Sequence, residues 1–296
     1  MPRSVPVDGF SLAYDRSGTG EPVVLLHGWP GDRTDYRVLG PALALASSCD
    51  VIVPDLRGFG ESDKHAADPA EQYSPAAQAR SVAGLVRELG LDRVLLAGYD
   101  VGSRIAQTMA AQYPDLVRAL VISPPLPGIG ARVLEPGAQR EFWYQSFHQL
   151  ALAEELIDGQ PDQVRSYLSH FWAHWSGPGF ELDRSYLDHL VEVYSPPGAF
   201  TASIGWYRAG SGAVARSLAE QVPDSADRLA VPVTVLWPES DPLFPRAWSD
   251  RLKEFFSDIS VRPLDGAGHF TPLEGPAEFA DAIHDALVAT RAGGGS

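Results

Sequence analysis

The chain has 296 residues, of which 45% are apolar and 21% charged, and its formal net charge is −15 at pH 7. This composition is typical of a globular protein that can bury one large core, and it favours one catalytic domain with an insertion over two independent domains. The excess of negative charge argues against nucleic acid and against anionic membrane surfaces as partners.

The cellular compartment of the protein can be predicted from its number of cysteines and from the length of its apolar runs. Cys49 is the only cysteine, so an intramolecular disulfide is excluded and a reducing compartment is expected. The N-terminus lacks the apolar run of a secretory signal, and no stretch approaches the ~18 apolar residues of a membrane span. We therefore expect a cytoplasmic protein. Residues 292–296 are interpreted as a flexible linker remnant.

The N-terminal part alternates short apolar strands with helical patterns. Strands are predicted at 23–26, 51–53, 94–97 and 119–122. Between the second and third strands, a helix from Pro75 to Leu89 is indicated by Ser74 as its N-cap and by Gly90 at its end. This alternation predicts an α/β fold with a mostly parallel sheet and helical crossovers.

The most distinctive motif follows the predicted strand 94–97. Asp100 lies at the centre of Gly98-Tyr99-Asp100-Val101-Gly102, just before a predicted helix that stops near Pro114. Glycines at the ends of such a motif permit a tight strand–turn–helix elbow, which ordinarily presents a serine nucleophile. A carboxylate is already ionised at pH 7, so Asp100 could attack an alkyl carbon without a base.

Two later segments carry residues that could assist this nucleophile. Asp241 follows a predicted strand at 233–237, and His269 follows another at 261–264. A loop histidine there can reach the nucleophile, and an acid can orient that histidine. Glu239, two residues before Asp241, is the alternative acid.

Between residues 125 and 229 the alternation disappears, and the sequence becomes helical and rich in aromatic residues. We interpret residues 1–124 and 230–291 as one core domain, closed by a helix from Pro276 to about Val288. The region 125–229 is an insertion into that domain. Its histidines are not spaced as metal ligands, and no metal is expected.

The order nucleophile, acid, histidine resembles that of the α/β-hydrolase superfamily. Over nearly its whole length the chain is similar to the epoxide hydrolase branch, which uses an aspartate nucleophile. His27-Gly28-Trp29-Pro30 and Asp55–Ser62 match loops of that branch. The resemblance implies a central sheet flanked by helices, with residues 125–229 as a helical lid between strands 6 and 7.

The same resemblance implies roles for individual residues. It favours Asp241 over Glu239 as the acid, and it makes the backbone N–H groups of Trp29 and Val101 the oxyanion hole. His269 would activate the water that hydrolyses an ester formed on Asp100. The Asp55–Ser62 loop is interpreted as structural.

Two tyrosines of the predicted lid indicate the reaction. Opening an epoxide creates an alkoxide, which must receive a proton. Tyr144, in Glu141-Phe142-Trp143-Tyr144-Gln145, and Tyr207, in Gly205-Trp206-Tyr207-Arg208, resemble the segments that carry the two lid tyrosines of epoxide hydrolases. The implied enzyme is a hydrolase of ether bonds that converts a small to medium apolar epoxide and water to a vicinal diol, without cofactor. The predicted pocket walls are Trp143, Phe147, Phe171 and Trp206.

Dehalogenases share the carboxylate nucleophile but release a halide, which needs N–H donors or cations. In haloacid dehalogenases similar to those acting on fluoroacetate, two arginines clamp the substrate carboxylate. Here only Arg104 is present, and we interpret it as a structural ion-pair partner. Their acid follows the sixth strand, where this chain has Ser123, and a histidine usually stands where Tyr144 lies. Haloalkane dehalogenases place a tryptophan where this chain has Val101, but the indole N–H of Trp29 could still face the pocket.

Another class of function is a non-catalytic protein that binds an apolar ligand on the same scaffold. Retention of the nucleophile, the acid and the histidine argues against it. The sequence allows a homodimer without requiring one. It does not define the preferred epoxide or the stereochemistry of its opening.

Overall fold

The computed structural model describes residues 1–46 and 49–292, so the predicted tail at 292–296 lies outside the described residues except for the backbone of Ala292. Within the described part, one sheet has the strand order β1-β3-β2-β4-β5-β6-β7. Its strands are β1 (Tyr14–Gly18), β2 (Glu21–Leu26), β3 (Cys49–Pro54), β4 (Val94–Gly98), β5 (Val117–Ile122), β6 (Val233–Pro238) and β7 (Ile259–Leu264).

The predicted α/β architecture is confirmed. All neighbouring strands from β3 to β7 pair in parallel, whereas β1 pairs antiparallel with β3. The central strands are continuous apolar runs because helices cover both faces of a parallel sheet. Strand β1 escaped prediction because its sequence, Tyr-Asp-Arg-Ser-Gly, is exposed beyond Tyr14 and has no apolar repeat.

The helices surround the sheet and continue through the insertion. The α-helices are α1 (Leu39–Ala46), α2 (Pro69–Gln72), α3 (Pro75–Glu88), α4 (Asp100–Gln112), α5 (Pro136–Glu141), α6 (Trp143–Phe147), α7 (Ala151–Ile157), α8 (Pro161–Trp175), α9 (Arg184–Tyr194), α10 (Ala199–Ser203), α11 (Gly205–Arg208), α12 (Ala213–Leu218), α13 (Thr271–Glu274) and α14 (Pro276–Ala292). Short 3₁₀ helices occupy Arg33–Tyr36, Pro114–Leu116, Gly130–Leu134 and Arg246–Glu254. In α3, the Ser74 hydroxyl accepts from Ala77 N, as expected of an N-cap.

Residues 125–229, here called the helical segment, contain α5 to α12 and no strand of the sheet. The segment lies between β5 and β6, so the predicted position between strands 6 and 7 is wrong by one strand. The cause is the strand count, because the sheet of the described residues has one strand fewer before the insertion than the superfamily numbering assumes.

Helices α8 and α9 attach the helical segment to the core loop that follows β2. The loop supplies backbone carbonyls and buried carboxylates, and the helices supply the donors. The pairs are Trp172 Nε1 to Pro30 O at 3.0 Å, Tyr194 Oη to Gly31 O at 2.8 Å, His189 Nε2 to Asp32 Oδ2 at 2.7 Å, and Tyr186 Oη to Asp35 Oδ1. The helical segment is therefore held next to Trp29, which lies in the same loop.

Cys49, at the start of β3, is buried. Within residues 1–46 and 49–292, none of the helices combines the length and the apolar character needed to cross a membrane.

Candidate active site

Asp100 occupies a tight elbow between β4 and α4, with φ of +49°. The glycines around it are required by close backbone approach: a Cβ on Gly102 would lie 2.0 Å from Leu26 O, and one on Gly98 would lie 2.8 Å from the carbonyl carbon of Gly102. A positive φ at a residue other than glycine is strained, and such strain is typical of functional sites. The elbow predicted from the sequence is therefore present, and Asp100 is at its apex.

The backbone N–H of Trp29 donates to Asp100 Oδ1 at 2.8 Å. This contact is possible because Gly28 has no side chain: a Cβ there would be 2.7 Å from Asp100 Cβ. Asp100 is only 6% exposed, and it lies at the N-terminus of α4, where the helix dipole favours a negative charge. Val101 follows in the first turn of α4 and lines the same cavity as Asp100.

His269 lies between two carboxylates. Its Nδ1 is 2.9 Å from Asp241 Oδ2, and its Nε2 is 3.4 Å from Asp100 Oδ2. Burial by itself would lower the pKa of His269, but the charge of Asp241, its hydrogen bond to the imidazole and the nearby charge of Asp100 outweigh it and raise the pKa to about 10. His269 is therefore an imidazolium at neutral pH while Asp100 and Asp241 are both charged.

The structure distinguishes the two candidate acids. Asp241 is buried, and its Oδ1 accepts from Leu243 N at 2.8 Å while its Oδ2 faces His269. Glu239 instead accepts from Gly266 N at 2.9 Å near the surface. Asp241 is thus the carboxylate that contacts His269.

The loop that carries His269 is held by a carboxylate that the sequence analysis missed. Glu274, at the end of α13, accepts from Gly177 N and Gly268 N at 2.7 Å and from Phe270 N at 2.9 Å. In addition, His269 N donates to Trp175 O at 2.8 Å. A glutamate five residues after a histidine carries no recognisable signal, because the chain must fold before these three N–H groups converge.

Tyr144 and Tyr207 line the cavity that also contains Asp100, and their ring centroids are 5.5 Å apart. Tyr144 Oη accepts from Gln145 Nε2 at 3.1 Å. Burial, and to a lesser extent the charge of Asp100, raises the pKa of both phenols far above the ordinary value. Both hydroxyls are therefore protonated at neutral pH and can donate into the cavity.

The cavity itself is small and aromatic. Its volume of about 10 Å³ has room for about one water molecule. Trp206 lines it, as predicted, together with Phe244 and Pro125, which were not predicted. Phe171 was also predicted as a wall, but it packs behind the lining residues, with its ring centroid 5.3 Å from that of Tyr144.

Trp143 and Phe147 are placed elsewhere by the structure, so their prediction as walls of this cavity is not supported. They line a separate cleft of about 540 Å³ on the outer side of the helical segment, and Trp143 is 42% exposed. The reason is helical geometry. Trp143 and Phe147 are four residues apart and share one face of α6, whereas Tyr144 lies on the adjacent face and is directed to Asp100.

A buried acidic cluster behind the elbow was also missed. Asp35 Oδ2 accepts from Tyr99 Oη at 2.5 Å, and Asp35 Oδ1 accepts from Tyr186 Oη of the helical segment. Burial and the charge of Asp32 raise the pKa of Asp35 to about 7, although both tyrosine hydrogen bonds act in the opposite direction. Asp35 thus connects the residue before the nucleophile to α9.

The prediction that Arg104 is a structural ion-pair partner is wrong. Among the described residues no carboxylate forms an ion pair with it, and its Nη2 donates to the backbone oxygen of Leu126 at 3.0 Å.

Within residues 1–46 and 49–292, no group of three or more histidine, cysteine, aspartate or glutamate side chains could hold a metal ion.

Comparisons with known proteins agree with the observed fold. A family model described as the alpha/beta hydrolase fold matches residues 21–276. The soluble epoxide hydrolase of Corynebacterium sp. (strain C12) is 28% identical over 299 residues, 91% of this chain and 91% of that protein. A fluoroacetate dehalogenase of Burkholderia sp is 30% identical over 212 residues, 70% of this chain and 68% of that protein. The solved structure of the epoxide hydrolase CorEH without ligand matches with a TM-score of 0.82 at 27% identity, covering 97% of this chain and 98% of that one.

Proposed function

Since the chain belongs to the α/β-hydrolase family, and is a hydrolase with epoxide hydrolase relatives, we propose that it opens epoxides to vicinal diols through an ester formed on Asp100. One observation carries the proposal: a buried carboxylate and two protonated tyrosine hydroxyls line one cavity, and His269 contacts that carboxylate. A nucleophile and a proton donor for the leaving oxygen are the two groups that epoxide opening requires.

In the first step Asp100 attacks an epoxide carbon and the carbon–oxygen bond of the ring breaks. Oδ1 is held by Trp29 N, so Oδ2 is the oxygen free to form the new bond. The departing oxygen takes a proton from Tyr144 or Tyr207. The helical segment supplies both hydroxyls, and we assign it the role of a lid over Asp100.

In the second step water attacks the Cγ atom of the ester. Forming the ester removes the negative charge of Asp100, which is one of the interactions that raise the pKa of His269. The pKa of His269 then falls, so the imidazolium returns its proton to the tyrosinate left by the first step, and the neutral imidazole accepts a proton from the attacking water while Asp241 keeps its orientation. The oxyanion on Oδ1 is stabilised by Trp29 N and Val101 N; collapse breaks the Cγ–Oδ2 bond, and the leaving oxygen takes the proton from His269 to release the diol.

The experiment is a single turnover in ¹⁸O-labelled water with enzyme in excess over a neutral epoxide such as styrene oxide. The oxygen added to the substrate comes from Asp100 in this scheme, so the first diol is expected to be unlabelled. His269→Gln should accumulate the ester, detectable as an added substrate mass on the intact protein. A labelled first diol, or the absence of an adduct in a variant that binds the epoxide, would overturn the proposal.

A dehalogenase is the second candidate, and one observation favours it. The indole N–H of Trp29 is buried without a hydrogen-bond partner among the described residues, as a halide donor would be. The carbon–halogen bond would break on attack by the same Asp100 oxygen. Halide release from haloacetates and 1-haloalkanes, measured beside diol formation, distinguishes the two reactions.

A further inference from the structure

The loop that carries His269 is fixed at three consecutive backbone groups. Gly268 N and Phe270 N donate to the carboxylate of Glu274 at 2.7 and 2.9 Å. These two residues flank His269, whose own N–H donates to Trp175 O at 2.8 Å. Every peptide N–H from residue 268 to residue 270 therefore has an acceptor, and two of the three hydrogen bonds end on one side chain.

The same carboxylate joins this loop to the end of α8 in the helical segment. Glu274 Oε2 accepts from Gly177 N at 2.7 Å in addition to Gly268 N, whereas Oε1 accepts from Phe270 N. The two backbones touch here, because a Cβ on Gly268 would lie 2.3 Å from both Gly177 N and Trp175 O. Glu274, at the end of α13, therefore clamps two segments that pack without intervening side chains.

The charge of Glu274 suits this position. Burial raises the pKa of its carboxyl group, whereas the three backbone hydrogen bonds and the positive charge of His269 lower that pKa. An ionised carboxylate only accepts hydrogen bonds, so both of its oxygens match the donors that face them. An amide in its place would set a donor against at least one of the three N–H groups.

The imidazole of His269 has two side-chain partners before the reaction and one after its first step. Its Nδ1 faces Asp241 Oδ2 at 2.9 Å, and its Nε2 faces Asp100 Oδ2 at 3.4 Å. In the proposed ester Asp100 Oδ2 is bonded to the substrate and no longer carries a charge. The place of Nε2 then depends on Asp241 and on the backbone that carries His269, just when Nε2 must reach the attacking water.

We propose that Glu274 is a positioning residue for hydrolysis of the ester, because it holds the backbone on both sides of His269 when the contact with Asp100 is lost. Glu274 acts through His269 and does not touch the substrate. The inference rests on the proposed epoxide hydrolase function and adds a residue to its second step. It also makes the end of α8 a support of the group that activates water.

The first step does not need this support. Asp100 attacks as a carboxylate and is oriented by the N–H of Trp29, so formation of the ester requires no proton transfer to His269. The second step requires that transfer, and a general base loses rate when it is displaced by a fraction of the hydrogen-bond distance. Loss of Glu274 should therefore separate the two steps.

The test measures both steps by rapid mixing of styrene oxide with excess enzyme. Glu274→Gln should slow hydrolysis of the ester by about tenfold or more, while ester formation stays within about threefold of the wild-type rate. Glu274→Asp keeps the charge on a side chain shorter by one methylene group and should fall between the two. Hydrolysis is a first-order process of the esterified protein, so its rate constant does not depend on the folded fraction.

Glu278→Gln is the matched control. It removes an exposed carboxylate in the first turn of α14, four residues after Glu274, and should leave both rate constants unchanged. Wild-type hydrolysis in Glu274→Gln, or equal slowing of both steps, would overturn the positioning role. If Glu274→Gln does not fold, the same comparison is made with Glu274→Asp.

NMR spectroscopy of the ligand-free protein separates this inference from the proposed function. The Nδ1 proton of His269, hydrogen-bonded to Asp241, should give a low-field resonance that Asp241→Asn removes and thereby assigns. The resonance should broaden or disappear in Glu274→Gln and persist in Glu278→Gln. If it does so although no epoxide is hydrolysed, Glu274 stands as a positioning residue for His269 and the epoxide hydrolase proposal fails. A resonance absent from the wild type, or unchanged in Glu274→Gln, overturns the inference even if diol is formed.

Discussion

The hydroxyl of Tyr186 in α9 donates to the buried carboxylate of Asp35 in the core. The other oxygen of the same carboxylate accepts from Tyr99, which directly precedes Asp100 in the chain. One titratable group therefore links the helical segment to the elbow that carries the candidate nucleophile. Its protonation state affects both the stability of the protein and the attachment of the helical segment.

Asp35 should make the free energy of unfolding depend on pH. Its pKa is about 7 in the folded protein against 3.8 ordinarily, so between about pH 4 and pH 7 the folded state binds the extra proton and stability falls as pH rises. Asp35→Asn should remove this contribution, on the order of 2–4 kcal/mol across that window. Urea unfolding of the wild type and of Asp35→Asn at pH 4.5 and 7.5 measures this contribution.

Groups facing Asp35 titrate as well, so the measurement needs controls. Asp32 and His189 form a neighbouring pair in which the pKa of His189 is raised mainly by its hydrogen bond to Asp32. The raised pKa of His189 also makes the protein less stable as pH rises above about 6.5, and His189→Gln isolates that share. Asp188→Asn, an exposed carboxylate on the same helix, should leave the pH dependence intact. An Asp35→Asn variant with the wild-type pH dependence would contradict the prediction.

Removing either phenolic hydroxyl should slow formation of the ester. Tyr144→Phe and Tyr207→Phe each keep the ring that packs the cavity and delete the proton donor, so alkylation of Asp100 should fall by about 10²–10⁴. Rapid-mixing experiments with excess enzyme measure that step. Tyr113→Phe, which alters a tyrosine outside the cavity, should react at the wild-type rate. Ester formation at an unchanged rate in both cavity variants would exclude the proton-donor role.

Asp241 should matter mainly for the second step. Asp241→Asn removes the charge that most strongly raises the pKa of His269, so that pKa falls, and the imidazole also loses its orienting partner. Ester hydrolysis should slow by about 10²–10⁴ while ester formation changes much less, and the adduct should accumulate. Glu239→Gln is the matched control and should hydrolyse the ester within a few-fold of the wild-type rate. Equal effects of the two changes would remove Asp241 from its assigned role.

The elbow should tolerate no side chain at Gly102. A Cβ there would lie 2.0 Å from Leu26 O, so Gly102→Ala must displace β2 or α4 and should destabilise the protein by at least about 3 kcal/mol. Gly137→Ala in α5 meets no atom within 4 Å and should change stability by no more than about 1 kcal/mol. Chemical unfolding of both variants tests the difference, and similar midpoints would show that the close approach is not required.

The sequence by itself determined the strand–helix alternation and the elbow. Apolar runs such as that of β4 and the glycines around Asp100 are local features, because each follows from burial or backbone geometry within a few residues. For the same reason the order of Asp100, Asp241 and His269 could be read directly, as could the helix that begins after Ser74.

Only the tertiary structure decided which side chains meet. It placed Asp241 and not Glu239 at His269, directed Tyr144 inward and Trp143 outward, and brought Glu274 to the His269 loop. It also left Arg104 without a carboxylate and joined Asp35 to Tyr186 over 151 residues. These relationships depend on packing between elements distant in the chain, and no periodicity or short motif encodes them.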